Sequence, residues 1–193
     1  MELSDFVKRA QNILLKEPEG EAPEGLIKAA VLVPVAQIGG AACLGFIRRS
    51  TLGSHPGHIA FPGGKMEPGE SPVQAALREA NEEIGLDERI VKVIGCLPLM
   101  NTVSTGYSVW PVVGALESEP VIKTADGEVD EFFWIPADYF CNGANLARRN
   151  EILPGEKSPR ISFHYNGNEI WGLTFRIVRN LTPPAMCAGI GVK

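Results

Sequence analysis

The chain has 193 residues, 45% of them hydrophobic, and a formal net charge of −5 at neutral pH. This size and composition predict one globular domain with a substantial core, and no apolar run reaches the roughly 20 residues that a membrane-spanning helix needs. The acidic balance, without a run rich in Lys or Arg, argues against a nucleic-acid partner.

A first helix is predicted over residues 3–16, and the Pro-, Gly- and Glu-rich stretch EPEGEAPEG that follows is typical of a linker. We therefore place residues 1–25 before a single domain that spans 26–193. The amphipathic, charged start lacks the apolar segment of a secretory signal peptide. Four cysteines, at positions 43, 96, 141 and 187, form no C-x-x-C pair. They predict free buried thiols in a reducing cytoplasm.

Short runs rich in β-branched and aromatic residues predict strands at 29–36, 43–48, 91–96, 107–116, 129–135 and 161–165. Pro111 cannot donate a ladder hydrogen bond, so it is expected at a sheet edge or a bulge. A closing helix is predicted over 170–181. Its apolar face comprises Ile170, Leu173, Phe175, Ile177 and Val178. Strands with interspersed helices favour an α/β fold, with helices on both sides of a mixed sheet.

The most clearly specified element is a helix that begins after Ser71. Ser71 is a favourable N-cap, Pro72 fits the first helical position, and Gln74 completes a capping box. Gly85 can take the left-handed conformation that ends many helices. The apolar stripe of this helix comprises Val73, Ala76, Leu77, Ala80 and Ile84.

Three glutamates lie on a flank of this helix, away from its apolar stripe: Glu79, Glu82 and Glu83. Like charges so close repel one another, and a hard divalent cation with oxygen ligands is an effective compensation. The spacing therefore predicts a metal-binding helix face. An ordinary solvated acidic face is the alternative for an isolated E-x-x-E-E.

Residues 64–86 read GKMEPGESPVQAALREANEEIGL, which matches the pattern G-x5-E-x7-R-E-U-x-E-E-x-G-U without an exception. This pattern is the Nudix box, and the segment resembles it at Gly64, Glu70, Arg78, Glu79, Glu82, Glu83 and Gly85. The resemblance implies a Nudix fold, which is an α/β/α sandwich around a mixed sheet. It also implies a hydrolase that cuts a diphosphate linked to another moiety, with Mg²⁺ or Mn²⁺ held by the glutamates.

The resemblance further assigns supporting roles. Arg78 corresponds to the arginine that orients the neighbouring carboxylates, and Glu70 is its expected partner. Gly63, in the turn Phe61-Pro62-Gly63-Gly64, corresponds to a position whose carbonyl helps to hold metal. A plain turn is the other interpretation of this segment.

Many Nudix enzymes carry a further glutamate, beyond the box, that acts as a metal ligand or general base. Glu128 is the candidate here because it lies shortly before the strand that carries Phe133 and Trp134. Asp130 and Glu131 are close rivals, and a solvated loop carboxylate is the alternative for all three.

Upstream of the box, the chain partly resembles the coenzyme A pyrophosphatase signature L-L-T-x-R-[SA]-x3-R-x3-G-x3-F-P-G-G. Leu44, Arg48, Gly57 and the FPGG turn match it. Four positions depart from it: Gly45, Phe46, Arg49 and Gly53. The resemblance implies hydrolysis of coenzyme A or its acyl derivatives to 3′,5′-ADP and 4′-phosphopantetheine.

Arg48 and Arg49 are accordingly candidate substrate-binding residues. Because Gly53 replaces the signature arginine, we hypothesise that Arg49 grips the 3′-phosphate of coenzyme A. Solvated charges at a strand end are the alternative for this pair. His55 and His58 lie in the same Gly-rich region, where a structural hydrogen-bonding role is more common than a ligand role.

Two other functions stay open. One is a Nudix hydrolase of another nucleoside diphosphate derivative, such as ADP-ribose, NADH or a dinucleoside polyphosphate. The other is a non-catalytic module that binds a nucleotide, although such a module has no need of clustered like charges. The expected partner is a small-molecule nucleotide, and a homodimer is possible by analogy with such families.

Overall fold

The computed structural model describes residues 1–51, 56–102, 105–117, 120–148, 160–183 and 187. Gly53 and His55, singled out in the upstream segment, lie outside these residues. The α-helices in the described ranges are α1 (Leu3–Ala10), α2 (Pro72–Ile84) and α3 (Gly172–Leu181). None of these helices is both long and apolar enough to cross a bilayer.

A mixed sheet forms the centre of the molecule. Its strands are β1 (Ile27–Ile38), β2 (Ala41–Arg49), β3 (Ile59–Ala60), β4 (Gly63–Lys65), β5 (Val91–Cys96), β6 (Met100–Asn101), β7 (Tyr107–Leu116) and β8 (Val129–Pro136). The main path runs β3-β2-β1-β7-β5, while β4 pairs with β1, β6 with β7 and β8 with β2. Only the β1–β7 pairing among them is parallel. A smaller antiparallel sheet contains β9 (Leu146–Arg148), β10 (Ile161–Tyr165) and β11 (Asn168–Ile170).

Each face of the main sheet buries a separate apolar cluster. On β1, Val33 and Val35 face the cluster shared with α1 and α3, whereas Leu32 and Ala36 face the cluster shared with α2. This alternation follows from the two-residue period of a strand. Both faces of the sheet are covered by helices, so the predicted α/β/α sandwich around a mixed sheet is confirmed.

The N-terminal segment packs against this core. Helix α1 ends at Ala10, six residues before the predicted end, and Phe6 is fully buried. The chain beyond α1 then follows the sheet, where Leu15 exchanges backbone hydrogen bonds with Cys96. These pairings take the place of further helical turns. The division between residues 1–25 and 26–193 stays a prediction.

Pro111 occupies an interior strand, so the expected sheet edge was wrong, but it lies where the pairing beside it is irregular. It lies on β7 between β1 on one side and β5 and β6 on the other. On that second side the pairing passes from Cys96 with Val112 to Met100 with Val109. Pro111 falls in the gap between these two strands, where a missing N–H interrupts no ladder bond.

The last helix is shorter than predicted, because Ile170 belongs to β11 and not to the helix. Asn166 and Gly167 form the turn between β10 and β11, with φ of 47° and 81°. An Asn-Gly pair favours this kind of tight hairpin turn. Ile170 is fully buried by the hairpin, and α3 begins two residues later at Gly172.

The prediction of four free thiols was wrong for two of them. Cys141 and Cys187 form a disulfide, which joins the 3₁₀ turn Ala137–Cys141 to the segment after α3. Cys43 and Cys96 are free and buried. Burial raises the pKa of Cys96 to about 11, so this thiol stays protonated at neutral pH. The sequence holds no C-x-x-C signal, and the two bonded cysteines meet only through the fold.

Candidate functional site

Helix α2 positions the glutamates, and its ends are fixed as predicted. Ser71 accepts a hydrogen bond from the Gln74 N–H, and the Gln74 side chain accepts from the Ser71 N–H. Gly85 ends the helix in the left-handed conformation, with φ of 65°. Ala76, Ala80 and Ile84 are fully buried against the sheet. The helix is thereby held in one rotation about its axis.

The three glutamates lie in unlike surroundings. The Glu82 side chain is 57% exposed, and that of Glu79 is 17% exposed. Glu83 is only 4% exposed, at the edge of the buried stripe. The sequence predicted a common solvent-facing flank, and Glu83 departs from it because β4 packs over this side of the helix.

Among the acids of the site, Glu83 has the pKa that is shifted furthest from its ordinary value. Its Oε2 accepts a hydrogen bond from the Gly63 N–H at 2.9 Å, and its Oε1 lies 3.7 Å from Arg49 Nη1. Burial raises the pKa of Glu83 to about 7, although the Gly63 N–H and the Arg49 charge lower it. The nearby carboxylates of Glu79 and Glu128 raise it further. Glu83 therefore changes its charge near neutral pH.

Arg78 holds the other carboxylates together. Its Nε and Nη2 donate to Glu70 at 2.7 and 3.1 Å, and Nη1 donates to Glu79 at 3.0 Å and to Glu82 at 3.1 Å. Nη2 also donates to the Lys65 carbonyl. Burial raises the pKa of Glu79, while the hydrogen bond from Arg78 opposes this rise. The structure thus places Arg78 and its expected partner Glu70 in direct contact.

Gly63 and Gly64 lie on β4, a short strand where the sequence suggested a turn. Register pairs Gly63 with Val31 and Gly64 with Ala30. A Cβ on Gly63 would lie 2.4 Å from the Ala30 carbonyl oxygen, and one on Gly64 would lie 2.5 Å from the Glu79 carboxylate. Glycine at these two positions lets β1 and the Glu79 side chain approach the β4 backbone closely.

Arg48 and Arg49 end β2 and reach in different directions. Arg48 pairs with Glu131 at 2.6 Å and donates to the Asn168 side chain at 3.0 Å. Arg49 instead approaches Glu83. A register shift against β8 separates the two residues. Both arginines therefore have carboxylate partners, although the side chains of Arg48 and Glu131 are partly exposed, and their role toward a substrate stays a prediction.

Glu128 is exposed, just before β8, and its charge acts on both Glu79 and Glu83. Its rival Glu131 is engaged with Arg48. Neither Glu131 nor Asp130 is among the charges that shift the pKa of Glu79 or Glu83. Of the three candidates, Glu128 lies best for a role beside the α2 carboxylates.

In the described part of the chain, no group of three or more His, Cys, Asp or Glu side chains is arranged to hold an ion as it stands. Glu79 and Glu82 face Arg78, whereas Glu83 faces Gly63. The donor set still fits a hard divalent ion, since it offers carboxylate oxygens from adjacent helical turns.

One cavity, of about 690 Å³, borders none of the α2 glutamates. It is lined by the chain at 16–20, the start of α2 and Trp110. A second cavity of about 450 Å³ borders His58 and Trp171, whose rings meet edge to face at 4.9 Å. Asn168 on β11 and Trp171, which caps α3, lie more than 100 residues beyond β2, so no local sequence pattern predicted their contacts with Arg48 and His58.

Comparisons with known proteins show the family of this chain. A family model of the NUDIX domain matches residues 26–154. NudL of Escherichia coli strain K12, named an uncharacterised Nudix hydrolase, is 34% identical over 195 residues, covering 99% of this chain and 96% of that protein. Nudix hydrolase 3 of Caenorhabditis elegans is 33% identical over 162 residues, covering 75% of this chain and 68% of its own length.

Solved structures show the same fold. A Deinococcus radiodurans protein aligns with a TM-score of 0.54 at 18% identity, over 87% of this chain and 96% of that one. An Ap4A hydrolase of Caenorhabditis elegans aligns with a TM-score of 0.51 at 23% identity, over 57% and 80%. The chain therefore belongs to the Nudix hydrolase family, whose members act on nucleoside diphosphate derivatives and generally use divalent metal ions.

Proposed function

We propose that this enzyme hydrolyses the diphosphate of coenzyme A or its acyl derivatives. Water adds to one phosphorus and the bridging oxygen leaves with the other, giving 3′,5′-ADP and (acyl-)4′-phosphopantetheine. The observation that carries the hydrolase chemistry is the set of three α2 glutamates, tied together by Arg78 and the Gly63 N–H. The support for coenzyme A is the partial resemblance of residues 44–64 to the subfamily signature.

Glu79, Glu82 and Glu83 would hold the divalent ion, Mg²⁺ or Mn²⁺, with the Gly63 carbonyl as a further proposed ligand. Such an ion neutralises charge on the diphosphate and lowers the pKa of bound water. The net charge of −5 makes this neutralisation necessary, because an acidic protein repels a diphosphate.

The chain's own residues fix the carboxylates and manage the proton. Arg78 holds Glu79 and Glu82 on one side of α2, and the Gly63 N–H fixes one oxygen of Glu83. Glu128 is exposed and its charge acts on both Glu79 and Glu83, and it is the proposed general base that accepts the proton of the attacking water. Arg48 and Arg49 are the proposed contacts to the substrate.

The test is mass spectrometry of the products formed with Mg²⁺ or Mn²⁺. The substrates are coenzyme A, acetyl-coenzyme A, ADP-ribose, NADH and a diadenosine polyphosphate. We expect metal-dependent release of 3′,5′-ADP and 4′-phosphopantetheine from coenzyme A. Cleavage of another substrate alone would keep the Nudix chemistry and refute the coenzyme A assignment. Turnover of none would favour a nucleotide-binding module.

A cytoplasmic location and a homodimer are part of this proposal. Cys43 and Cys96 are free, as is usual in a reducing compartment, whereas the Cys141–Cys187 disulfide is unusual there. A dimer would be visible as twice the chain mass in sedimentation, and a monomeric mass would refute it.

A further inference from the structure

The cavity beside Trp171 has polar walls that the proposed chemistry does not use. Its volume is about 450 Å³, and it is lined by His58, Arg160, Asn168, Glu169, Trp171 and Gly57 among others. None of the α2 glutamates borders it. Among the described residues, a Cβ on Gly57 would meet no atom within 4 Å, which leaves this wall open to a ligand on that side.

A fixed guanidinium group is the main feature of this cavity. The Arg160 guanidinium carbon lies 3.6 Å from the centre of the Trp171 ring, and Nη1 donates to Glu169 at 3.3 Å. The Glu169 carboxylate also accepts from the Ser162 hydroxyl, which fixes it in turn. Stacking and this ion pair together hold the plane of the guanidinium group. An arginine held in this way is suited to planar, charge-assisted recognition of a phosphate.

The cavity adjoins the glutamate site through the end of β2. The Gly57 N–H donates to the Arg49 carbonyl, and the Arg49 N–H donates to the His58 carbonyl. The Arg49 side chain reaches Glu83, whereas Arg48 reaches Asn168 in the cavity wall. Consecutive Cα atoms are about 3.8 Å apart. A substrate that extends from the glutamates past the end of β2 would therefore approach the cavity.

We propose that the cavity is a subsite for a phosphate monoester that the substrate carries outside its diphosphate. This inference rests on the proposed function, in which the group is the 3′-phosphate of coenzyme A. It assigns to Arg160 the role that the sequence suggested for Arg49, which faces Glu83 instead. Arg160 covers one face of Trp171, so a charged group suits this cavity better than a stacked base does.

The test compares coenzyme A with 3′-dephospho-coenzyme A, since the two differ only in that phosphate. The variants are Arg160→Gln, Arg160→Lys and the control Arg179→Gln, an exposed residue in the last turn of α3. We expect Arg160→Gln to lower kcat/KM for coenzyme A about 10- to 100-fold more than for the dephospho form. Arg160→Lys keeps the charge but loses the planar stack, so it should lose part of this preference. Arg179→Gln should match the wild type.

Either of two results would overturn the subsite. One is a wild-type enzyme that cleaves both substrates equally well. The other is a preference for coenzyme A that survives in Arg160→Gln. If Arg160→Gln fails to fold, as judged by its melting curve, Arg160→Lys decides in its place.

A binding measurement separates this inference from the proposed function. Calorimetry compares 3′,5′-ADP with 5′-AMP on the wild type, Arg160→Gln and Arg179→Gln. Tighter binding of 3′,5′-ADP that is lost only in Arg160→Gln supports the subsite, even if coenzyme A is not cleaved. Equal affinities of the two nucleotides for the wild type would refute the subsite, even if coenzyme A is cleaved.

Discussion

Glu83 is a buried carboxyl group beside two others, so its ionisation acts on the stability of the metal-free protein. Its pKa of about 7 lies above the ordinary value of 4.5, mainly because of burial. Between these values the folded state binds more protons than the unfolded state, so stability falls as the pH rises. The stabilisation present below pH 4.5 is lost as the pH passes through 7.

We therefore expect Glu83→Gln to be more stable than the wild type above pH 7, by up to about 3 kcal/mol, when metal is chelated. Below pH 4.5 the two proteins should converge, because both then carry a neutral side chain. Urea unfolding at several pH values in EDTA measures this difference. Glu82→Gln, at an exposed position, is the control, and its free energy of unfolding should depend on pH as that of the wild type does. The prediction would be contradicted if the free energy of unfolding of Glu83→Gln depended on pH in the same way as that of the wild type.

Arg78 acts through the carboxylates that it positions. Lysine retains the charge but cannot reach Glu70, Glu79 and Glu82 at once with a single ammonium group. We expect Arg78→Lys to lower activity or apparent metal affinity about 10- to 100-fold, as is typical when the support of a ligand is lost. Steady-state kinetics over a Mg²⁺ titration give both quantities. Arg89→Lys is the matched control, because Arg89 also pairs with a carboxylate, Asp87, but its side chain is 85% exposed. Equal effects of the two substitutions would refute a positioning role.

The effect of substitution on kcat can distinguish Glu128 from Asp130 and Glu131 as the general base. A general base contributes about 10²- to 10⁴-fold, so Glu128→Gln should lose at least about 100-fold in kcat. Asp130→Asn and Glu131→Gln should lose much less, because Glu128 is the only one of the three among the main charges that raise the pKa of Glu79 and Glu83. Rates measured at saturating metal keep an effect on metal binding apart. A loss of only a few fold in Glu128→Gln would exclude it as the base.

At the scale of elements, substitutions at the two adjacent glycines of β4 should have different effects, one on stability and the other on activity. In Gly63→Ala the new Cβ would meet backbone atoms of Ala30 and Val31 within 2.5 Å, so β4 could not keep its pairing. In Gly64→Ala it would meet only the end of the Glu79 side chain, which can turn away.

We expect Gly63→Ala to lower the free energy of unfolding by more than about 3 kcal/mol. Gly64→Ala should stay folded and lose activity, because Glu79 is displaced from its place beside Arg78. Urea unfolding and kcat/KM, measured on both variants, check this contrast. An active, stable Gly63→Ala would show that β4 is not held against β1 as described.

The sequence predicted the elements whose signals are local. Ser71, Gln74 and Gly85 specify both ends of α2 by themselves, and each lies where it was expected. The Asn166-Gly167 turn was an equally local signal, but the helical spacing of the apolar residues after it concealed the strand that contains Ile170. At this scale the errors came from competing patterns within one short segment.

At the scale of the whole molecule, the unpredicted features are contacts between distant parts of the chain. Arg49 meets Glu83, and Arg48 meets Asn168, only because the sheet brings them together. Phe6 belongs to the core although a linker composition separates it from the domain. Periodicity carries no information about such pairs, so the box residues were predictable while their partners were not.

The Cys141–Cys187 disulfide is the last such contact, and it spans 46 residues. A cross-link of this length restricts the unfolded chain and typically stabilises the folded state by about 2–4 kcal/mol. We expect Cys187→Ser to lose about this much in urea unfolding of protein prepared without reductant. The wild type with reductant should then match the variant, whose own stability should not respond to reductant. Thiol titration of the unreduced, unfolded wild type should find Cys43 and Cys96 only, whereas four reactive thiols would show that the bond does not form.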